Sequence, residues 1–131
     1  MCWANYMATP IVLKKPLRVY KTGTLTVLGD FVSLFQNFRY YKFQNIPTIK
    51  INSEFTRRHL FVPGYKPQMW DSFYIYEGYH SYLTKKMAKC SKNERDDIGI
   101  FEIPAGATIY VNYRDREVVS TDIKYLGLLE E

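Results

Sequence analysis

The sequence predicts an α+β protein, with a mostly antiparallel β-sheet and one main helix at about residues 81–91. Short stretches rich in β-branched and aromatic residues alternate with turn signals along most of the chain. One segment, which follows a glycine at position 78, has apolar residues at helical spacing. The chain has 131 residues and contains no repeat or interdomain linker. We therefore expect a single domain over residues 1–131.

The first half of the chain contains mainly predicted strands. Residues 17–21 (LRVYK) have a β-branched centre, and residues 24–35 are typical of a hairpin because a Gly-Asp pair separates two apolar runs. Residues 38–43 and 48–52 are predicted strands, and the second follows a proline, which is tolerated at the start of a strand. Residues 59–70 contain two prolines and a glycine, which predicts a loop.

The second half continues the antiparallel pattern. Residues 72–78 (SFYIYEG) alternate and end at a glycine, which predicts a strand. Residues 98–104 and 108–113 are predicted strands joined by a Pro-Ala-Gly-Ala turn. A charged turn then leads into residues 117–127 (EVVSTDIKYLG), which are rich in β-branched residues. These segments predict an antiparallel sheet at the C-terminal end.

The predicted helix begins near Ser81. Leu83, Met87 and Cys90 are spaced at i, i+4 and i+7, which predicts one apolar stripe along the helix. The Ser81 hydroxyl is a suitable N-cap acceptor for the first turn. A polar run, residues 91–97, follows and predicts a loop.

Charge and composition indicate the class of partner. The formal net charge is +5 and the chain contains twelve tyrosines. A basic surface favours an anionic partner, and tyrosine is suited to stacking and to interfaces. We do not expect a nucleic-acid binder, because no dense basic stripe with interleaved aromatics is present. A tyrosine-rich sheet with a free edge strand also allows a homo-oligomer.

Other features of the sequence exclude several classes of binding site and predict the cellular compartment of the protein. Cys2 and Cys90 are isolated, which favours a reduced, cytoplasmic protein. The first residues, MCWANYMATPIVLKKP, do not resemble a signal peptide, and no apolar run is long enough to span a membrane. No phosphate loop, nucleophile elbow or metal-binding motif is present, so we expect no metal and no cofactor.

The segment 77–86 (EGYHSYLTKK) contains the principal candidate site. A strand-to-helix junction directs N–H groups outward and favours bound anions. A histidine can donate to a phosphate or act as a base, and a tyrosine can stack on a nucleobase. Lysines on the first helical turn can attract phosphate. The predicted ligand-binding residues are Tyr79, His80, Ser81, Tyr82, Lys85 and Lys86. The alternative is that His80 bonds a loop carbonyl, the tyrosines pack in the core and the lysines form a solvated helix face.

The order of several motifs resembles a group of short uncharacterised proteins from phages and mobile elements. The motifs are an N-terminal MC, then VYK, EGYHSY, IPAGATIYVN and EVVSTDI. The resemblance covers the chain's ends and the segment from about Tyr74 to Ile123. It implies a phage setting and hence the cytoplasm of a host cell. Small phage proteins often neutralise a host defence component, including signalling nucleotides.

The chain also resembles, more weakly, the ADP-ribosyltransferase-like fold. LRVYK corresponds to the first element of that family, GYHSYLT to the strand before its helix, and IFEIPAGATIYVNYRDREVV to its last region. The resemblance implies Glu117 in the place of the catalytic glutamate, with His80 as the second catalytic residue. The family's Ser-Thr-Ser and Glu-x-Glu patterns are absent here, which leaves a nucleotide-binding cleft without turnover as an alternative.

Three hypotheses on function follow from these observations. The first is a non-enzymatic protein that recognises or sequesters an anionic, nucleotide-like ligand. The second is an ADP-ribosyltransferase-like enzyme that acts on NAD through His80 and Glu117. The third is a protein that inhibits a host defence factor by surface contact.

Overall fold

The structure, a computed structural model, describes residues 3–4, 10–33, 38–44, 46–55, 73–113 and 116–129. Over these residues the protein has the predicted single-domain α+β fold, with antiparallel strands and one short helix, α1 (Lys85–Ser91). The strands are β1 (Trp3–Ala4), β2 (Ile11–Val12), β3 (Leu17–Leu25), β4 (Phe31–Ser33), β5 (Arg39–Tyr40), β6 (Asn52–Phe55), β7 (Phe73–Glu77), β8 (Tyr79–Tyr82), β9 (Asp97–Ile103), β10 (Thr108–Asn112), β11 (Glu117–Ser120) and β12 (Lys124–Leu128).

The described strands form two antiparallel sheets. The larger sheet has the order β12-β9-β3-β8-β11-β10-β2, and β4 extends from the far end of β3 and pairs with β5. The smaller sheet has the order β1-β7-β6. Strand β8 therefore lies in the middle of the larger sheet, where it pairs with β11 along its whole length and with β3 at Tyr82.

Gly78 is the corner at which the chain passes from the smaller sheet to the larger one. It separates β7 from β8 and has a φ of +135°, a backbone angle that residues other than glycine rarely adopt. A Cβ atom at this position would lie 2.2 Å from Cγ1 of Val119. The sequence requires a glycine here for the bend and for close packing against β11.

The main core lies on one face of the larger sheet. Phe31, Phe101 and Tyr125 form its aromatic centre, with ring centroids 5.1 to 5.5 Å apart. A smaller cluster on the other side of β3 contains Tyr20 and Ile98 and is covered by Ala88 of α1. The helix thus packs on the face of the sheet opposite the main core.

The hairpin between β3 and β4 is confirmed, but its turn spans residues 26–30 and is not a two-residue turn at the Gly-Asp pair. Asp30 is fully buried at its base and bonds the Thr26 hydroxyl and, at 2.9 Å, the Arg39 guanidinium. The hydrogen bond from Thr26 has the largest effect on the pKa of Asp30. Together with the bond from Arg39 it holds this pKa below its usual range, although burial acts to raise it. The turn leaves Val27 and Leu28 exposed at its tip.

Several predicted boundaries are wrong. The predicted strand at residues 48–52 is irregular backbone up to residue 51, and regular pairing begins at Asn52. The strand predicted at 38–43 is limited to β5, because residues 41–44 turn back. Residues 117–127 form two strands, β11 and β12, separated by residues 121–123. The predicted loop at 59–70 lies outside the described residues.

The helix is confirmed, but it begins four residues later than predicted. Thr84, not Ser81, is the N-cap, and its hydroxyl accepts a hydrogen bond of 3.2 Å from the Met87 N–H. The later start changes the buried face, so Ala88 is buried whereas Cys90 is exposed. The predicted stripe of Leu83, Met87 and Cys90 is therefore wrong.

Candidate functional site

The four central residues of the candidate site form strand β8 and not a strand-to-helix junction. Antiparallel pairing with β11 sets Tyr82 opposite Glu117, His80 opposite Val119 and Tyr79 opposite Ser120. Their backbone groups belong to a sheet, so they do not provide the outward N–H groups expected at a helix start. Because side chains alternate along a strand, the segment is divided between the two faces of the sheet.

Tyr79 and Ser81 face the main core. Tyr79 is 3% exposed, its ring packs 5.4 Å from that of Phe38, and its hydroxyl donates to the Pro47 carbonyl at 2.6 Å. Burial, and secondarily the nearby Asp122, raise the pKa of the Tyr79 phenol. Ser81 is also buried, and its hydroxyl has no hydrogen-bond partner among the residues that the structure describes. These two residues are part of the core and do not form a stacking surface.

His80 and Tyr82 lie on the opposite face, the one that carries the helix. Both are half-buried. Nδ1 of His80 lies 3.1 Å from the Gly78 carbonyl oxygen, which fixes the ring beside the corner of the two sheets. Tyr82 packs against the cluster of Tyr20, Ala88 and Ile98 beneath the helix. This face leads directly to the start of α1.

Three basic residues surround the end of β8. Lys85 and Lys86 are exposed on the first turn of α1. Arg116 is exposed and precedes β11, and its carbonyl accepts a hydrogen bond of 2.7 Å from Leu83 N–H, which holds the two segments together. Arg116 has a φ of +52°, a conformation that is uncommon for a residue other than glycine. We use "basic corner" for His80, Tyr82, Lys85, Lys86 and Arg116.

Glu117 lies on the same face of the sheet as His80. It pairs with Tyr82, and His80 pairs with the residue two positions further along β11. Glu117 and His80 are therefore diagonal neighbours, a relation in which long side chains can interact. Glu117 is half-buried. The two residues singled out for catalysis are thus brought to one region.

A buried lysine beneath β8 was missed by the sequence analysis. Lys21 is 3% exposed, and its ammonium donates to the carbonyl of His80. The Nζ atom also lies 5.4 Å from the ring centroid of Tyr40 and 5.8 Å from that of Phe101. Burial lowers the pKa of Lys21 to about 7.

Lys21 occupies the point at which β3 changes partners. The strand pairs with β8 at Tyr20 and with β4 from Gly23 onward. The lysine amine bonds the carbonyl of His80 beside this gap in the ladder. The signal was present in LRVYK, because Val19 and Lys21 are two residues apart and therefore share one face.

Further findings limit the classes of chemistry. Among the residues that the structure describes, no group of three or more His, Cys, Asp or Glu side chains is arranged to hold a metal ion. Within the same ranges, no helix is long and apolar enough to cross a bilayer. No protein-family model, no curated protein and no solved structure matches the chain.

Proposed function

We propose that the protein binds an anionic, nucleotide-like ligand at the basic corner. One observation carries the proposal: two half-buried ring side chains and three exposed basic side chains belong to segments that meet at the end of β8. Tyr79 and Ser81 are not part of this proposed site, because both pack in the core. The binding residues are therefore His80 and Tyr82 with Lys85, Lys86 and Arg116.

Each side chain has a distinct role in this proposal. The lysines and Arg116 bind phosphate oxygens, with the guanidinium able to donate two parallel hydrogen bonds. The exposed part of the Tyr82 ring stacks on the base. His80 contributes the exposed part of its side chain as a packing surface, because its Nε2 atom is buried and its Nδ1 atom lies 3.1 Å from the Gly78 carbonyl oxygen. The half-buried Glu117 carboxylate accepts hydrogen bonds from ribose hydroxyls, which distinguishes a nucleotide from inorganic phosphate.

The resemblance to phage proteins supplies the proposed setting. The protein is proposed to act in the host cytoplasm and to sequester a signalling nucleotide of the host's immune response. Sequestration requires tight binding without turnover, and the composition of the basic corner is compatible with that activity because binding needs no activated nucleophile.

A thermal-shift screen tests the proposal. The probes are NAD, isomers of ADP-ribose and cyclic di- and trinucleotides. A ligand that binds only the folded state at 100 times its dissociation constant adds about 2.7 kcal/mol to the free energy of unfolding. We expect one class of nucleotide to raise the melting temperature in this way. The absence of a shift with every probe would contradict the proposal.

A matched pair of double variants locates the site. Lys85→Ala/Lys86→Ala removes two exposed lysines of the basic corner, and Lys14→Ala/Lys15→Ala removes two exposed lysines between β2 and β3. Both change the net charge equally. We expect about a tenfold loss of affinity for the first and almost none for the second, since a tenfold change corresponds to about 1.4 kcal/mol. Equal losses would indicate a nonspecific charge effect.

A second candidate function is hydrolysis or transfer of ADP-ribose from NAD. The shared sheet face of His80 and Glu117 favours it. In that reaction the bond between nicotinamide nitrogen and ribose C1′ breaks, nicotinamide leaves with the electron pair, and water or an acceptor nucleophile bonds to C1′. Glu117→Gln would abolish the release of nicotinamide and leave the melting temperature unchanged. A wild-type protein that releases no nicotinamide from NAD would exclude this candidate.

Inhibition of a host protein by surface contact is favoured by a different region. Val27 and Leu28 are 103% and 83% exposed at the tip of a hairpin that Asp30 holds in place. Apolar side chains at a rigid turn are suited to insertion into a pocket of a partner. Val27→Ser/Leu28→Ser would abolish such a complex and leave nucleotide binding unchanged, which separates this function from the first.

A further inference from the structure

The turn after β5 presents two aromatic rings to solvent. Tyr41 is 48% exposed and Phe43 is 62% exposed. The turn is closed by a hydrogen bond of 3.1 Å from the Gln44 N–H to the Tyr41 carbonyl. It is fixed to the edge of the larger sheet, because the Phe43 N–H donates to the Tyr125 carbonyl at 2.9 Å. The exposed rings therefore stand on a backbone with defined partners.

Phe43 has an unusual backbone conformation for an aromatic residue. Its φ is +61°, within the left-handed region that favours glycine and asparagine. Strained conformations of this kind cluster at ligand-binding sites, where the surrounding structure holds them in place. Phe43 is thus a large apolar residue at a position where both its exposure and its backbone conformation favour a small or polar one.

Lys42 is positioned between the ring and the sheet. Its Nζ atom lies 5.4 Å from the ring centroid of Phe43. Its side chain passes close to Gly127, where an added Cβ atom would lie 3.4 Å from Cε of Lys42 and 3.7 Å from Nζ. Gly127 has a φ of +142° beside the bulge in β12. The Lys42 side chain thus lies within van der Waals range of the sheet edge at this position.

We propose that Tyr41, Lys42 and Phe43 form a second binding site, which recognises a nucleobase together with its adjoining phosphate. An aromatic ring accepts the flat face of any base, and the Lys42 ammonium, which lies over the Phe43 ring, supplies the positive charge for the phosphate attached to that base. The exposed amide of Gln44 can bond the edge of the base. The same base-and-phosphate unit occurs in a free nucleotide and in single-stranded nucleic acid.

This site is separate from the basic corner. The turn is attached to β12, and β9 and β3 lie between β12 and β8 in the sheet. Three strand spacings correspond to roughly 14 Å. The two proposed sites share no residue, so binding at one does not depend on binding at the other.

The probes for the test are thymidine monophosphate and a short fluorescein-labelled oligothymidylate. Phe43→Asn removes the ring and relieves the backbone strain, because asparagine tolerates the left-handed conformation. Its control is Tyr113→Ala, since Tyr113 is equally exposed at 62%. Lys42→Gln removes the ammonium, and Lys50→Gln removes another exposed lysine as its control. Binding is measured by calorimetry for the nucleotide and by fluorescence anisotropy for the oligonucleotide.

We expect Phe43→Asn to lower the affinity about tenfold for whichever probe binds, as for loss of one stacked base. Lys42→Gln is expected to weaken binding and to reduce the slope of log affinity against log salt by about one. Both controls are expected to bind as the wild type does. Binding of the monophosphate identifies a free nucleotide as the ligand, and binding of the oligonucleotide alone identifies a nucleic acid. The proposal is overturned if neither probe binds, or if the paired variants lose affinity equally.

Discussion

The two faces of strand β8 differ in burial and in surroundings, although the residues of the two faces alternate along only four positions of the chain. On one face, Tyr79 and Ser81 are buried in the main core, and the tyrosine hydroxyl is fixed to the Pro47 carbonyl. On the other face, His80 and Tyr82 are half-buried beside the start of the helix. Adjacent residues of one motif thus belong to different parts of the molecule.

The difference shows that the motif is not a single site. A substitution on the inward face should change the free energy of unfolding and leave ligand affinity unchanged. A substitution on the outward face should do the reverse.

Tyr79→Ala should be the most damaging substitution. It removes a ring that packs against Phe38 and Tyr40 and a hydroxyl that bonds Pro47. We expect a loss of about 4 kcal/mol, as for other large aromatic residues truncated in a core. Urea denaturation measures it, with the exposed Tyr113→Ala as the control that should cost almost nothing. If Tyr79→Ala lowered the free energy of unfolding no more than Tyr113→Ala does, the distinction between the two faces of β8 would be wrong.

Lys21 should make the stability of the protein rise with pH. Its pKa is about 7 in the folded protein against an ordinary value of 10.5. Below pH 7 both states bind the proton, so burial of the charge is fully unfavourable. Above pH 7 the folded state loses the proton first, so stability increases, by at most about 1.4 kcal/mol per pH unit.

Lys21→Met tests this expectation with a side chain of similar volume. The wild type should gain about 2 kcal/mol between about pH 7 and about pH 9, and the variant should lack this rise. Tyr40, Tyr79 and Tyr125 all have pKa values above their ordinary 10.0, so their titration lies mainly above this window. Urea midpoints at three pH values are sufficient. Parallel curves for the two proteins would show that Lys21 is not buried as a neutral amine.

Ser81→Ala should stabilise the protein slightly. The Ser81 hydroxyl is buried and has no hydrogen-bond partner within the described part of the chain, so its removal ends an uncompensated desolvation cost. We expect a gain of up to about 1 kcal/mol. Thermal denaturation measures the change. A clear loss of stability would mean that a water molecule or another group bonds this hydroxyl in solution.

Arg116→Gly should have the smallest effect on folding. Glycine removes the strain of a φ of +52° but increases the entropy of the unfolded chain, and the two effects oppose each other. We expect a net change below about 1 kcal/mol. Nucleotide affinity, in contrast, should fall because an exposed phosphate-binding group is lost from the outward face. An unchanged nucleotide affinity would show that Arg116 does not contribute to ligand binding at the basic corner.

Much of the fold could be predicted from sequence because its signals are local. Alternation and turn residues predicted the hairpin at 24–35 and the strands at 98–104 and 108–113. The start of the helix was missed because Ser81 and Thr84 are both good caps, and the choice depends on pairing between β8 and β11. Such pairing joins residues far apart in sequence, so no local pattern reports it.

The candidate site was predicted only in part for the same reason. The residues of segment 77–86 were identified, but their division between two faces depends on β8 being a central strand. Lys21 and Arg116 reach this region only through contacts with His80 and Leu83. The sequence predicts Phe43 within a strand, whereas a turn with left-handed backbone places it at the sheet edge.

The most direct test of the account compares His80→Ala with Ser81→Ala. These neighbours lie on opposite faces of β8, and neither truncation removes a large core side chain. Calorimetric titration with the nucleotide that gives the largest thermal shift is the measurement. The account predicts about a tenfold loss of affinity for His80→Ala and wild-type affinity for Ser81→Ala, a difference of about 1.4 kcal/mol. Equal affinities in the two variants, or a loss in Ser81→Ala alone, would contradict it.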